Sequence, residues 1–397
     1  MEKPDVFRPC GAHVAVFNVP MAGHVVPTLG LVRELVERGH RVTYAVTAEF
    51  ASQVRAVGAE PVLYDVPPQD EAPEDMAQGV TRVLGVNLGA LPQLEQAYAD
   101  DRPDVVLYDV YAWTGPLLAA RWGVPVVQLA PTHIPYDGLV REFFGLDDIS
   151  AIPGFPQLAQ ALESFGVVGG VHALTLAPPR CIAFFPESFQ RRARTVQAGE
   201  AHWVGPLIGD RSFQGSWRAP AGAGSVVYVS LGSQFNRRPD FYRACVEALA
   251  GQGRHVVLSV GPEVAAAGLG PLPDGVEVHA HVPQMDVLAA ASVFVTHGGM
   301  GSVMEALSVG VPMVVVPQMA EQRVNAAQVA ELGLGVHLPR EEATAQALRE
   351  AVAAVARDAG VAASLAAMRR QIEAAGGAVA AAEVVEKALA DRPMSAR

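Results

Sequence analysis

The sequence predicts an α/β protein built from two parallel-sheet domains. Three observations carry this reading. Short apolar runs of strand length alternate with amphipathic helical stretches, the alternation lapses after residue 204 and restarts at Ser225, and 397 residues are too many for one hydrophobic core.

In the first series, 13–19 is an apolar strand and 27–38 an amphipathic helix, with Leu29, Val32, Leu35 and Val36 at helical spacing and Gly39 as its stop. Strands follow at 41–47 and 60–64 around a helix at 49–57, and at 105–108 and 124–129 around a helix through 117–122. Near-continuous apolar strands joined by helices are covered on both faces, as in a parallel sheet. From Pro135 to Pro179 the pattern loosens into a Gly-, Pro-, Phe- and Leu-rich segment, read as short helices over a pocket, and 181–185 reads as the last strand of this half. Gly205-Pro206, Gly209, Gly215 and Pro220 mark a linker. The second series has strands at 226–230, 255–260, 276–279, 292–295 and 311–316, a helix at 240–250, and an alanine-rich helical stretch through 342–389. The expected organisation is a domain at 1–204, the linker at 205–220, a second domain at 221–376, and a terminal helical segment at 377–397 whose docking the sequence leaves open, a return to the first domain being one arrangement.

Composition narrows the function. Half of the residues are hydrophobic and 18% charged, ordinary for a globular chain. With 41 acidic against 29 basic residues, the formal charge is −12, which leaves no basic footprint for nucleic acid as the main partner. Cys10, Cys181 and Cys245 are odd in number and scattered, so neither a disulfide framework nor a zinc ribbon is expected, and a reducing cytoplasm fits. The first dozen residues are polar, charged and broken by prolines, unlike a signal peptide. No apolar run reaches the roughly 18–20 residues of a membrane helix, so no membrane span is expected.

The richest stretch is Thr296-His297-Gly298-Gly299-Met300-Gly301-Ser302-Val303-Met304-Glu305, between an apolar strand and a helix that ends near Gly310. A glycine-rich turn before a helix start lets backbone N–H groups approach an anion, and the helix end adds partial positive charge. His297 and Ser302 on phosphate oxygens and Glu305 on ribose hydroxyls would suit a nucleoside diphosphate, at the strand edge where open α/β sheets bind ligands. Ser302-x-x-Glu305 equally reads as a capping box, and His297 as a buried structural histidine.

In the first half, Met21-Ala22-Gly23-His24-Val25-Val26-Pro27 joins the first strand to the first helix, with Pro27 read as the helix start. His24 there is a candidate general base, and Asp109, at the end of the 105–108 strand, a carboxylate to orient it. A loop histidine and a turn-capping aspartate are the plainer readings of the two. Ser233, in Val229-Ser230-Leu231-Gly232-Ser233, could reach a phosphate, and Glu321 with Gln322, in Pro317-Gln318-Met319-Ala320-Glu321-Gln322, could grip sugar hydroxyls or simply open a surface helix. There is no G-x-G-x-x-G after the first strand, no P-loop, no G-x-S-x-G elbow and no D-x-D, so diphosphate charge would fall to His297, helix dipole and backbone amides.

Taken in order, Gly23-His24-x-x-Pro27-x-Leu29, Arg38-Gly39-His40-x-Val42-Thr43-Tyr44-Ala45, Ser230-Leu231-Gly232-Ser233, Val282-Pro283-Gln284 and the 294–322 run with Gly310-x-Pro312 and Glu321-Gln322 resemble family 1 glycosyltransferases of the GT-B fold, above all the bacterial macrolide-type members. The similarity runs along nearly the whole chain. The resemblance implies two facing Rossmann-like domains with a cleft between them, acceptor on the first and UDP-sugar on the second. It makes His24 the base and Asp109 its partner. It puts Ser233, His297 and Ser302 on the diphosphate with Gly299 and Gly301 beside them, Glu305 on the ribose, His281, Val282 and Gln284 by the nucleoside, and Glu321 and Gln322 on the sugar. The expected reaction is metal-independent, inverting transfer of glucose from UDP-glucose to a hydrophobic small molecule, a macrolide or flavonoid-like phenol, for tailoring, detoxification or antibiotic self-resistance.

Two positions depart from the pattern. His281 stands where many relatives stack a tryptophan on uracil, and Glu321 where many have aspartate. Tyr111, Trp113, His133, Phe143, Phe144 and Phe155 are the acceptor-pocket candidates, each of which also fits core packing. The competing functions are a nucleotide-sugar epimerase, which needs no acceptor, and a catalytically silent binding or activator protein, which would lack the His24–Asp109 pair or the diphosphate contacts.

Overall fold

The computed structural model describes residues 11–66, 76–152, 155–166, 178–209, 211, 214–233, 236–251, 253–264 and 269–391. Cys10 and parts of the 135–179, 205–220 and 377–397 segments lie outside the described residues. The chain forms two compact units. One comprises Met1–Arg141, Gly145–Gly209 and Ala375–Arg397, the other Glu142–Phe144 and Asp210–Ala374.

In the first unit, strands β1 (His13–Phe17), β2 (Arg41–Val46), β3 (Glu60–Leu63), β4 (Val105–Asp109), β5 (Val126–Ala130), β6 (Arg180–Ala183) and β7 (Glu200–Trp203) form a parallel sheet in the order β3-β2-β1-β4-β5-β6-β7. Helices α1 (Ala22–Glu37), α2 (Ala51–Ala56), α3 (Met76–Ala97) and α4 (Thr114–Trp122) make the first crossovers, and α5 (Leu139–Phe144) and α6 (Phe155–Ser164) follow β5. Every residue of β1 and β4 is buried, as two-sided cover requires, and a fully buried valine such as Val14 or Val16 contributes about 1.5–3 kcal/mol.

In the second unit, β8 (Ser225–Ser230), β9 (Arg254–Ser259), β10 (Val276–His279), β11 (Ala291–Thr296), β12 (Met313–Val315) and β13 (Gly335–His337) form a parallel sheet in the order β10-β9-β8-β11-β12-β13. Its helices are α7 (Pro239–Leu249), α8 (Gln284–Ala290), α9 (Met300–Val309), α10 (Ala320–Glu331), α11 (Ala345–Val355) and α12 (Ala359–Ala374). Helix α13 (Gly377–Ala390) belongs to the first unit. It buries Ala381, Ala382, Val385 and Ala388 in the core that contains Leu31 and Leu35 of α1, and its Glu386 accepts a 2.9 Å bond from Arg38.

In each sheet the strand order reverses once, between β1 and β4 and between β8 and β11. The crevice outside the carboxyl ends of such a strand pair is where an open α/β sheet holds ligands. Phe17 pairs with Tyr108 at the first switch point, and Thr296 with Ser230 at the second, so the residues that follow these strands share one edge in each unit.

Two expectations are corrected and one helix is added. Helix α1 starts at Ala22, not Pro27, so His24 lies in its first turn and Pro27 inside the helix, where it has no N–H to give the Gly23 carbonyl. The last strand of the first unit is β7, not 181–185. It is a four-residue edge strand, Glu-Ala-His-Trp, without an apolar pattern to announce it. Helix α3 is unannounced because Gly79, Gly85, Gly89 and Pro92 interrupt its helical spacing.

Candidate active site

At the first switch point, β1 delivers the chain to the first turn of α1 and β4 ends in Asp109. Asp109 is fully buried. A buried carboxylate must be hydrogen-bonded, and this one is on both oxygens. Oδ2 lies 2.8 Å from His24 Nδ1, and Oδ1 accepts from the Tyr111 backbone N–H at 2.9 Å. The carboxylate therefore holds the Nδ1 proton, which makes Nε2 the basic nitrogen of the ring. The His24 side chain is 16% exposed, enough for a substrate hydroxyl to approach.

Two buried asparagines, which no local motif singles out, brace this corner. Asn18 Nδ2 donates to the His24 carbonyl at 3.0 Å and to Tyr44 Oη at 2.8 Å, while Tyr64 donates to the Asn18 carbonyl at 2.9 Å. Asn87 on α3 donates to the Tyr111 carbonyl at 2.8 Å and accepts from the Thr114 N–H at 3.0 Å.

The acceptor candidates divide into groups. The Tyr111 ring lies 5.4 Å from that of His24 and meets buried Trp113 edge-on at 6.3 Å, and Trp113 meets buried Phe155 at 6.0 Å. His133 is buried elsewhere, stacked on Phe189 with 4° between planes, its Nδ1 accepting from the Arg191 N–H at 3.4 Å. Phe143 is buried and Phe144 partly exposed beside it, with ring centroids 6.3 Å apart. Of this set, Tyr111 places its ring beside that of His24.

At the second switch point, the His297 imidazole lies between two glycines. A Cβ on Gly232 would sit 2.6 Å from Nε2, and one on Gly299 2.5 Å from it, so neither position tolerates a side chain while the ring stays in place. Gly298 adopts φ +84°, the left-handed region that suits glycine, and its carbonyl accepts from Asn325 Nδ2 on α10 at 2.8 Å. Burial pushes the His297 pKa down to about 4, so the ring is neutral near pH 7. It therefore offers an anion a hydrogen bond from a neutral ring. The first-turn amides of α9 at Met300, Gly301 and Ser302 remain as the electropositive element.

The depressed pKa also sets a stability test. Between pH 6.5 and 4 the unfolded chain binds a proton at this histidine that the folded chain does not. Stability is thus complete above pH 6.5 and falls as the pH drops toward 4. His297→Gln is expected to flatten the decline of Tm in this window, and an unchanged Tm–pH curve would contradict the neutral ring.

The Ser302-x-x-Glu305 capping box does not form. Helix α9 begins at Met300 behind Gly299, with no side-chain cap bond. Both residues instead face Gln284 at the start of α8, whose Nε2 donates to Ser302 Oγ at 3.2 Å and to Glu305 Oε2 at 2.5 Å. Gln284 Oε1 accepts from Tyr228 Oη at 2.9 Å. Glu305 is buried, and its second oxygen is ion-paired with Arg211, a partner placed by the sequence reading in the linker.

Ser233 is exposed just after Gly232, and His281 and Val282 lie exposed and partly exposed in the loop that leads to α8. Glu321 and Gln322 open α10 but point differently. Gln322 is buried, its Oε1 accepting from the Gln318 N–H at 2.8 Å, whereas Glu321 is partly exposed, with Oε1 3.3 Å from Asn325 Nδ2. Among the described residues no three His, Cys, Asp or Glu side chains gather in a metal-holding cluster, and no single helix is long and apolar enough to cross a membrane.

Residues 244–390 match the family model described as erythromycin biosynthesis protein CIII-like, C-terminal domain. Over 96% of its length the chain is 41% identical to oleandomycin glycosyltransferase of Streptomyces antibioticus, covering 92% of that protein. It is 37% identical to the NDP-glycosyltransferase YjiC of Bacillus subtilis (strain 168), over 94% of this chain and 96% of the relative. The crystal structure of the kitacinnamycin glycotransferase superposes with a TM-score of 0.86 at 40% identity, covering 96% of this chain and 99% of that one. Two parallel-sheet α/β units with polar residues gathered at both switch points are a glycosyltransferase architecture. The chain belongs to the GT-B glycosyltransferase family that includes oleandomycin glycosyltransferase.

Proposed function

We propose that the chain transfers glucose from UDP-glucose to a hydroxyl of a hydrophobic natural product, a macrolide or a polyphenol, with inversion at the anomeric carbon and without a metal. The observation that carries this reading is the 2.8 Å bond between His24 Nδ1 and the buried Asp109 carboxylate, beside the partly exposed Tyr111 ring.

His24 Nε2 takes the acceptor's hydroxyl proton as the oxygen bonds to the anomeric carbon. The bond from that carbon to the β-phosphate oxygen breaks, and UDP leaves with the electron pair. Attack opposite the leaving group turns an α-linked donor into a β-linked product. Asp109 stabilises the imidazolium that forms. On the donor, Glu305 binds the ribose hydroxyls, which favours a nucleotide with a free 2′-hydroxyl. Ser302, His297, Ser233 and the backbone at Gly299 and Gly301 bind the diphosphate, His281, Val282 and Gln284 border the nucleoside, and Glu321 and Gln322 bind the sugar. Tyr111 lines the acceptor side, with Trp113 and Phe155 behind it and Phe143, Phe144 and His133 as further apolar surface. The relatives' names, oleandomycin glycosyltransferase among them, support a macrolide-class acceptor. The unpaired buried Cys181 and Cys245 fit a cytoplasmic enzyme.

The test is mass spectrometry of products from UDP-glucose and a panel of macrolides and polyphenols with EDTA present. A hexose adduct is expected. No adduct with UDP-glucose intact would remove glucose or these acceptors, and a new UDP-sugar isomer without adduct would replace transfer by epimerisation.

A further inference from the structure

Arg238 stands at the N-terminal boundary of α7, partly buried, at the carboxyl edge of the second sheet. Its neighbours Arg237 and Arg243 each have a carboxylate partner, Glu263 and Asp240, but no carboxylate of the described residues comes within ion-pair distance of Arg238. Its guanidinium donates from Nη1 to Gln318 Oε1 at 3.1 Å. Gln318 is itself fixed, because its Nε2 donates to the Val316 carbonyl at 2.8 Å and its backbone N–H to Gln322 Oε1. That orientation turns Oε1 toward the guanidinium and holds it in one place. Burial is the main cost to its charge, a second arginine, Arg340 after β13, repels it, and Asp240 in the first turn of α7 offsets part of that cost from beyond ion-pair distance. A partly desolvated cation whose direct hydrogen-bond partner is neutral is costly, and an oxyanion offsets that cost with charge-assisted, bidentate bonds.

The position names the ligand class. Gln318 begins the turn that carries Glu321 and Gln322, and Gly232 and Ser233 lie a few residues before Arg238 after β8. We propose that Arg238 is a specificity-determining residue that grips an anionic oxygen group of the donor, either a phosphate or a carboxylate on its sugar. This rests on the nucleotide-sugar reading of the second unit. It supplies the charge that the neutral His297 ring does not, from a residue that no sequence motif marks.

The experiment is calorimetric binding of uridine, UDP, UDP-glucose and UDP-glucuronic acid to the full chain, as wild type, Arg238→Gln and Arg238→Lys. Loss of one charge-assisted contact corresponds to about 10- to 100-fold in Kd. If the target is a phosphate, Arg238→Gln weakens the three UDP ligands together by that factor and leaves uridine unchanged. If it is a carboxylate, only UDP-glucuronic acid weakens. Arg238→Lys is expected to recover part of the loss through a single contact, and it carries the comparison if the glutamine variant does not fold. Wild-type affinities for all four ligands in both variants would overturn the proposal and leave Arg238 as a brace for Gln318. A wild-type chain that binds none of the UDP ligands would overturn the UDP-donor reading and this inference together.

Discussion

His24→Ala is expected to lower kcat for glycosyl transfer by about 10²–10⁴-fold while leaving UDP affinity unchanged. The size follows from what the substitution removes. An alcohol is a poor nucleophile until its proton has a place to go, and the 2.8 Å bond to Asp109 leaves Nε2 as the basic atom of the imidazole. The selectivity follows from placement, since His24 lies in the first unit and the residues proposed to hold the nucleotide lie in the second. Asp109→Asn separates orientation from charge. Its amide oxygen can still accept from Nδ1, so it is expected to lose less than His24→Ala and to shift the acidic limb of the kcat/KM profile downward, because the imidazolium is no longer stabilised. Full transfer activity in His24→Ala would remove the base from the mechanism.

Gly299→Ala is expected to weaken UDP binding by about 10- to 100-fold, the worth of a hydrogen bond to a charged group. The backbone at Gly299, φ −61° and ψ 137°, is ordinary for alanine, so the substitution strains no dihedral. Its effect runs through one contact, a methyl placed 2.5 Å from His297 Nε2, where the ring must move. A double-mutant cycle isolates this. With His297→Ala already present, the methyl has room, and Gly299→Ala should add little further loss. Equal losses in both backgrounds would mean that the glycine acts through its own backbone and not through the histidine.

Much of this architecture is legible in the residues. The apolar strands ending at Phe17, Asp109, Ser230 and Thr296 are periodic and buried, so their carboxyl ends, and the polar residues gathered there, stand out before any coordinates. The partners of those residues do not. Asn18 under His24, Asn87 under Tyr111 and Asn325 under Gly298 act through tertiary bonds to backbone carbonyls, for which a lone sequence holds no signal. The Ser302-x-x-Glu305 spacing shows the opposite limit. It is a valid local capping pattern, but Gly299 starts the helix three residues too early for it, and the freed side chains turn to Gln284. Arg211 was hidden by its surroundings, a stretch so poor in periodicity that it reads as spacer, yet its guanidinium meets buried Glu305.

The return of α13 to α1 has a consequence for how the molecule is made. The first unit is not a continuous stretch of chain, because the residues that cover its α1 surface follow the whole of the second unit. Domains emerging from the ribosome usually complete in order from the N-terminus. Here the order is inverted. The six-stranded unit has all of its strands before the seven-stranded one receives Ala381, Val385 and Ala388, so the sheet that carries His24 spends translation with an apolar flank open to solvent and closes only when the final helix docks.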